Sequence, residues 1–252
     1  MSLHPLAERL VAAIETRTPL DPATVAEGLT ADLAYDVQDE VVAAMGGRVE
    51  AAKLGLTSRA KQEQMEVKEP SYGWLLTGSR ITAENPLVVA DQIQPRAEPE
   101  IAFLLAEELE GPEVSPESAL AATAAVMPAI DILDSRYAGY SFTSPLVIAD
   151  NASAARFSLG PPVPANGIDL RTVGCVFSRN GELLATAAGA AVLDHPAHAV
   201  AWFVRKLWQR GRRLEAGTVV LTGALTAAFP VVAGDEFTVE IDRIGSLAVA
   251  AS

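Results

Sequence analysis

The sequence predicts an α+β fold built on one large antiparallel or mixed sheet. Apolar runs of strand length crowd the second half of the 252-residue chain, which holds one main amphipathic helix, while the first half is mixed. No regular alternation of strand and helix, the mark of repeated βαβ units, runs along it. With 50% hydrophobic and 20% charged residues, the chain can bury a sizeable core as one large domain or a domain with a small N-terminal annex. The boundary falls near residue 80, dividing an N-terminal α/β region (1–80) from a β-rich core (81–252), the two forming one continuous structural unit.

The elements follow in order. Pro5 to Thr16 reads as a helix with Leu6, Leu10, Ala13 and Ile14 on one side, broken by Thr18-Pro19-Leu20-Asp21-Pro22. Thr30 N-caps a second helix reaching Met45, with Leu33, Val37, Val41 and Ala44 as its stripe and Gly46-Gly47 as its stop. Val49 to Leu56 is a strand, Ser58 to Met65 a short helix, and Glu69 to Gly73 a turn. Strands occupy Pro86 to Leu105. Ser115 to Met127 has helical composition, with Ser115 as N-cap and Pro128 closing it before a short strand over Ile130–Leu133. Thr172–Phe177 and Leu183–Ala187 form a hairpin around Arg179-Asn180-Gly181. Pro196 to Arg210 is an amphipathic helix with Val200, Phe203, Val204 and Leu207 on one face. Val219–Thr222, Phe229–Val232 and Phe237–Ile241 are strands, the last two joined by the turn Ala233-Gly234-Asp235.

A net charge of −13 argues against nucleic acid or an anionic membrane as partner, because both need clustered Lys and Arg. It does not exclude an anionic substrate, since a bound metal can invert the local field. The single cysteine, Cys175, excludes an internal disulfide and a Cys-rich zinc site; its apolar neighbours make it a buried, inert thiol. Met1 to Leu10 lacks the apolar core of a signal peptide, and no run approaches the roughly 20 apolar residues of a membrane helix. These features predict a cytoplasmic protein.

Three carboxylates carry the chemistry. Glu98 and Glu100 stand at i and i+2, so a strand there puts both on one face. Asp131 opens a second short strand. Three anionic oxygen ligands on neighbouring strands suit a hard dication such as Mg2+ or Mn2+. The bland alternative places Glu98 and Glu100 on the solvent face of an edge strand. Lys53 sits in the apolar segment Ala51–Leu56, where it either snorkels to solvent or points into a pocket to hold a carboxylate or move a proton. Asp134 and Arg136 read as a structural ion pair. The polar cluster Asp150-Asn151-Ala152-Ser153 satisfies a buried turn or lines a site. Thr222-Gly223, at a strand end, suits carboxylate binding or a plain turn. His195 and His198 read as a helix entry with Pro196 near N1. No glycine-rich phosphate loop, G-x-S-x-G elbow or Cys–His constellation is present, which argues against nucleotide cofactors and acyl-enzyme chemistry.

Taken together, blocks running in order along nearly the whole chain resemble the hydratase/decarboxylase branch of the fumarylacetoacetate hydrolase superfamily. They are Lys53–Ser58, Gln64-Met65, Pro70–Gly73, Gln94–Phe103, Pro128–Arg136, Ala149–Ser153, Gly189–Leu193 with His195-Pro196, Leu221–Gly223 and Ala233–Asp235. The resemblance implies a mixed β-roll core with an N-terminal helical region. It also implies a Mg2+ or Mn2+ site made by Glu98, Glu100 and Asp131, with Lys53 as the catalytic group and Leu54, Ser153, Thr222 and Gly223 against the substrate. It implies a 2-oxo acid or its dienol as substrate, chelated through its 1-carboxylate and 2-oxo oxygen, with an enolate as electron sink.

Two branch activities are implied: decarboxylation of 2-oxohex-3-enedioate and hydration of 2-hydroxypenta-2,4-dienoate. Ala60-Lys61, Gln64-Met65, Tyr72-Gly73, Ser135–Tyr137, Leu170–Thr172 and Thr226–Ala228 look like the decarboxylases; Gln94–Arg96, Arg205-Lys206 and Ala224-Leu225 look like the hydratases. Two departures stand out. The family's usual acid–base Asp is replaced by Gly78, and a usual Lys by Ser141. Glu69, Lys61 and Asp150 are candidates to stand in for the carboxylate. Decarboxylation leads, because it needs chiefly an electron sink. Hydration, a diverged biosynthetic reaction such as cyclisation, and a non-catalytic partner subunit follow. The resemblance further implies a homo-oligomer able to associate with a related hydratase or decarboxylase.

Overall fold

The computed structural model describes residues 3–25, 28–64 and 67–252. Helix α1 (Pro5–Thr16) begins where the His4 ring accepts the Leu6 N–H and Pro5 fixes the first turn; it buries Leu6, Ala7, Leu10 and Ala13. Helix α2 (Ala31–Met45) is capped by the Thr30 hydroxyl. Its buried face is Ala34, Tyr35, Val37, Gln38 and Val41, rotated from the expected stripe so that Leu33 and Ala44 are exposed. Specific contacts set that rotation: Gln38 donates to the carbonyls of Tyr72 and Ile148, and Tyr35 stacks on Tyr72 at 4.6 Å.

Strand β1 (Val49–Gly55), helix α3 (Arg59–Gln64), strand β2 (Ser71–Leu76) and strand β3 (Arg96–Leu105) follow. Met65, expected to end the short helix, lies outside the described residues. Next come α4 (Pro116–Ala121), β4 (Thr123–Leu133), α5 (Ser144–Ala149), β5 (Ala154–Leu159) and the short β6 (Val163–Pro164). The chain ends with β7 (Gly174–Arg179), β8 (Glu182–Ala188), α6 (Pro196–Gln209), β9 (Val219–Ala224), the short β10 (Phe229–Pro230), β11 (Glu236–Ile241) and β12 (Gly245–Ala250). No helix among the described residues is long and apolar enough to cross a membrane.

The main sheet has the order β2-β1-β9-β3-β4-β5, with β10 added to β3 and β6 to β4. It is mixed, as expected: β1 and β9 run parallel and the other pairs antiparallel. It takes strands from both sides of residue 80. A second sheet, β12-β11-β7-β8, is an antiparallel layer whose β7–β8 hairpin turns on Asn180 and Gly181, both at positive φ, as the Asn-Gly signal predicts. One face of the main sheet shares a hydrophobic core with the helices and the second sheet. The other face curls inward around a small cluster of Ala51, Leu75, Ala102, Met127, Ala129 and Leu221.

Two expectations are corrected. The helix over 115–127 stops at Ala121, and Thr123–Met127 belongs to β4. Its alanines favour a helix locally, but pairing from Leu105↔Thr123 to Ile101↔Pro128 prevails. Of the turn expected at residues 69–73, Ser71–Gly73 are instead the buried start of β2. Gly73 serves close approach there, since a Cβ would lie 2.2 Å from the Asn151 carbonyl oxygen. Strands β5 and β12 were not anticipated.

Candidate active site

The alternation of strand side chains builds the site on the inward-curling face. On β1 that face carries Ala51 and Lys53; on β3, Glu98, Glu100 and Ala102; on β4, Met127, Ala129 and Asp131. Small apolar groups fill one end and ionisable groups the other. Glu98 stands directly opposite Asp131 in the β3–β4 ladder. β1 and β4 are three strand spacings apart, about 14 Å in a flat sheet. Yet Lys53 Nζ lies 2.7 Å from Asp131 Oδ2, so the sheet is strongly curled at this point.

Ligand oxygens of Glu98, Glu100 and Asp131 lie within 4.8 Å of one another, and all three residues are buried. The edge-strand alternative is thereby set aside, and Lys53, also buried, points inward. Burial pushes the Glu100 carboxyl well above the usual range and Asp131 pushes it further; Lys53 and a 2.6 Å hydrogen bond donated by the Gly223 N–H oppose the rise. For Lys53, burial alone would lower the pKa, but Asp131, Glu98 and Glu100 outweigh it and hold the ammonium charged.

The triad fits a hard dication. Glu100 Oε1 is buried with no hydrogen-bond donor among the described residues, a costly state for a lone oxygen and an ordinary one for a metal ligand. Three carboxylates this close repel one another, and a divalent cation among them would offset that repulsion.

Lys53 and Glu98 open onto a cavity of about 430 Å³, lined also by Ser71, Arg96, Tyr140, Ser141, Phe142 and Ser153. Of the residues expected to touch substrate, Ser153 lines this cavity; the others are placed differently. Leu54 points to the opposite face, into the main core. The Thr222 hydroxyl donates to the Ile101 carbonyl at 2.8 Å, and the Gly223 N–H holds Glu100. Gly223 must be glycine, because its φ is +107° and a Cβ would meet Thr57 Oγ1 at 1.9 Å. Ser71, Arg96 and Tyr140 were not singled out. Arg96 was findable, since it precedes Glu98 by two and so shares its face.

The polar cluster behind the cavity is a rigid support. Asn151, Ala152 and Ser153 take positive φ in succession, a strained turn for L-residues. Asn151 pins it through 2.8 Å bonds to both the N–H and the C=O of Trp74. Arg136 pairs with buried Asp150, not with Asp134 as expected; Asp134 accepts from the Ile93 and Gln94 N–H groups instead. Asp150 is thus engaged by Arg136, and Glu69 by Lys206 at 3.0 Å, so neither lines the cavity in place of a missing acid. The Lys61 side chain lies outside the described residues. Gly78, where the family acid was expected, sits in the turn after β2 at φ +92° and is not among the lining residues. His195 caps α6 by accepting the Ala197 N–H, and burial pushes Cys175 up to about 12.

A model of the fumarylacetoacetate (FAA) hydrolase C-terminal family matches residues 40–250. The chain belongs to the fumarylacetoacetate hydrolase family. Within it, the chain is 42% identical over 219 residues to the 4-oxalocrotonate decarboxylase of Pseudomonas sp. (strain CF600), covering 85% of this chain and 83% of that one. It is 36% identical over 250 residues to the 2-hydroxyhexa-2,4-dienoate hydratase of Comamonas testosteroni, covering 96% and 94%. The solved 4-oxalocrotonate decarboxylase from Pseudomonas putida G7, complexed with magnesium and adipate, matches with a TM-score of 0.91 and 36% identity over 98% of this chain and 96% of that one. The expected family and fold are both borne out.

Proposed function

We propose that this family member is a Mg2+- or Mn2+-dependent lyase that removes CO2 from a 2-oxo acid of the 2-oxohex-3-enedioate type, with Glu98, Glu100 and Asp131 as metal ligands and Lys53 as the catalytic group. The observation that carries the reading is the buried triad paired with Lys53, opening on a cavity in which Glu98 is the sole carboxylate among the described lining residues. A cation held there supplies Lewis-acid stabilisation of negative charge on the carboxylate and 2-oxo oxygens of the acid. Lys53 Nζ presents N–H donors where charge collects as the electron pair of the breaking C–C bond moves through the conjugated chain toward the 2-oxo oxygen. Ser153 is held at the wall by its strained turn and contacts the substrate.

Decarboxylation needs one electron sink and little further proton traffic, which suits a cavity with no second carboxylic acid among the described lining residues. Hydration is the second reading. The Ser71, Ser141 and Ser153 hydroxyls lining the cavity suit an ordered water, and hydratases are among the similar proteins. The reading places the enzyme in the cytoplasm as a homo-oligomer.

The test is turnover of 2-oxohex-3-enedioate and 2-hydroxypenta-2,4-dienoate with Mg2+ or Mn2+, beside Glu100→Gln, with products identified by mass. Metal-dependent CO2 loss that disappears in the variant supports decarboxylation, and water addition supports the second reading. Metal binding without turnover of either compound refutes both.

A further inference from the structure

We infer that Ser71 is a further substrate-binding residue: its hydroxyl, left uncovered by Gly55, donates a hydrogen bond to the 1-carboxylate of the 2-oxo acid. The inference rests on the metal-site reading above and deepens it.

Strand alternation puts Ser71 on the inner face. In β2, Tyr72 and Trp74 enter the main core and Leu75 the inner cluster, so Ser71, Gly73 and Leu75 face inward together. In the β1–β2 ladder Lys53 stands opposite Gly73, and Gly55 opposite Ser71. Ser71 is therefore the diagonal neighbour of Lys53, roughly 7 Å away between backbones. Both residues line the cavity.

Four side-chain hydroxyls are found among the described lining residues, and they differ in what they already hold. That of Tyr140 lies 3.1 Å from the Gln94 carbonyl and 3.0 Å from that of Leu133. That of Ser153 donates to Asp150 at 3.1 Å, and Ser141 is exposed to water. Ser71 Oγ is buried with no hydrogen-bond partner among the described residues. A buried hydroxyl in that state is costly unless an occupant of the cavity completes it.

Gly55 keeps the hydroxyl reachable. It is not among the glycines at positive φ, so its backbone does not call for glycine. A Cβ built on it would lie 2.9 Å from Ser71 Oγ and 4.0 Å from Ala152 Cβ, with nothing else within 4 Å beyond its chain neighbours. The missing side chain therefore leaves open the side from which an acceptor reaches Ser71.

The chemistry of the substrate names the acceptor. A 2-oxo acid that chelates a cation through one carboxylate oxygen and its 2-oxo oxygen leaves its other carboxylate oxygen to the protein, and a hydroxyl proton suits it. This head group is common to the substrates of both readings. Its carboxylate keeps its charge through CO2 loss from the far end and through water addition alike. The contact is then equally strong in the ground state and the transition state, so Ser71 acts on KM and not on kcat.

The experiment is calorimetric titration of wild type, Ser71→Ala and Gly55→Ala, first with Mg2+ and then, in the Mg2+-loaded proteins, with 2-oxopentanoate. This probe has the head group but neither the double bond nor the second carboxylate, so it does not react. Ser71→Ala is expected to weaken the probe at least tenfold, with Mg2+ affinity within twofold and the metal-free melting temperature not lowered. Gly55→Ala keeps the hydroxyl but covers it, and is expected to weaken the probe at least fivefold. If Ser71→Ala does not fold, Ser71→Cys, similar in shape with a weak S–H donor, is read in its place, with a loss of at least threefold expected. Where a substrate is turned over, Ser71→Ala raises KM at least tenfold with kcat changed less than threefold. Unchanged probe affinity in Ser71→Ala, an equal loss of Mg2+ affinity, or a fall in kcat at constant KM overturns the inference. Absence of Mg2+ binding in wild type refutes the metal-site reading and this inference with it. Mg2+ binding without turnover refutes only the proposed reaction, because the probe still reports on Ser71.

Discussion

Replacing Lys53 with Met should destabilise the metal-free protein far more than the metal-loaded one. Lys53 and Asp131 form an ion pair whose side chains are 2% and 0% exposed, with Glu98 and Glu100 close by. Removing one partner of a buried pair costs about 3–5 kcal/mol, because the other charge stays buried without its counter-charge. For a chain of this size 1 kcal/mol is worth roughly 2–4 °C, so metal-free Lys53→Met should melt about 6–20 °C below wild type. A dication in the triad would replace the positive charge lost with Lys53, so saturating Mg2+ should recover most of the deficit. The assay is thermal unfolding of both proteins in chelator and in excess Mg2+. A deficit of the same size under both conditions refutes the reasoning, because it would mean that the ammonium and the metal do not balance a common cluster of charge.

Other consequences follow from the same geometry. The raised Glu100 pKa makes the folded metal-free protein hold a proton that the unfolded chain has released; its stability should fall as pH rises above the ordinary carboxylate range, by at most about 1.4 kcal/mol per pH unit, and saturating Mg2+ should flatten that slope in pH-dependent urea titrations. Gly73→Ala forces a Cβ to within 2.2 Å of the Asn151 carbonyl and should cost more than about 2 kcal/mol or prevent soluble expression, read by denaturation midpoint and yield. Cys175 should resist a thiol reagent in the native protein and react fully in denaturant, since its thiol is buried with its pKa pushed up to about 12.

The site was more legible in the sequence than the strands that carry it. Glu98 and Glu100 at i and i+2, and Lys53 among apolar neighbours, are local patterns that a strand converts directly into a shared face. What joins them is not local. Lys53 meets Asp131 because a sheet order of β1-β9-β3-β4 curls, and β9 enters that order from over a hundred residues downstream. The alanine-rich run at 122–127 reads as helix until its partner strand is known. Gly73 reads as a turn until the Asn151 carbonyl is seen against it. Likewise Leu54 and Thr222 lie one residue out of phase with the inner face, and strand alternation sends such neighbours to the opposite side.

The same geometry weighs against a purely structural subunit. The inner face is built with small residues, Ala51, Ala102 and Ala129, at positions where larger apolar groups would fill the curl. Leucine or methionine at 98, 100 and 131 would extend that dry cluster at little cost, and such replacements of buried ion clusters are often neutral or stabilising. The chain instead keeps four ionisable groups out of water, one with an oxygen, Glu100 Oε1, that has no donor among the described residues. Without a cation the three carboxylates repel one another; a dication among them would offset that repulsion and take the Glu100 oxygen as a ligand. Glu100→Gln should therefore raise metal-free stability while lowering Mg2+ affinity at least tenfold. In a subunit that uses the triad only as packing, the substitution would change stability equally with and without Mg2+.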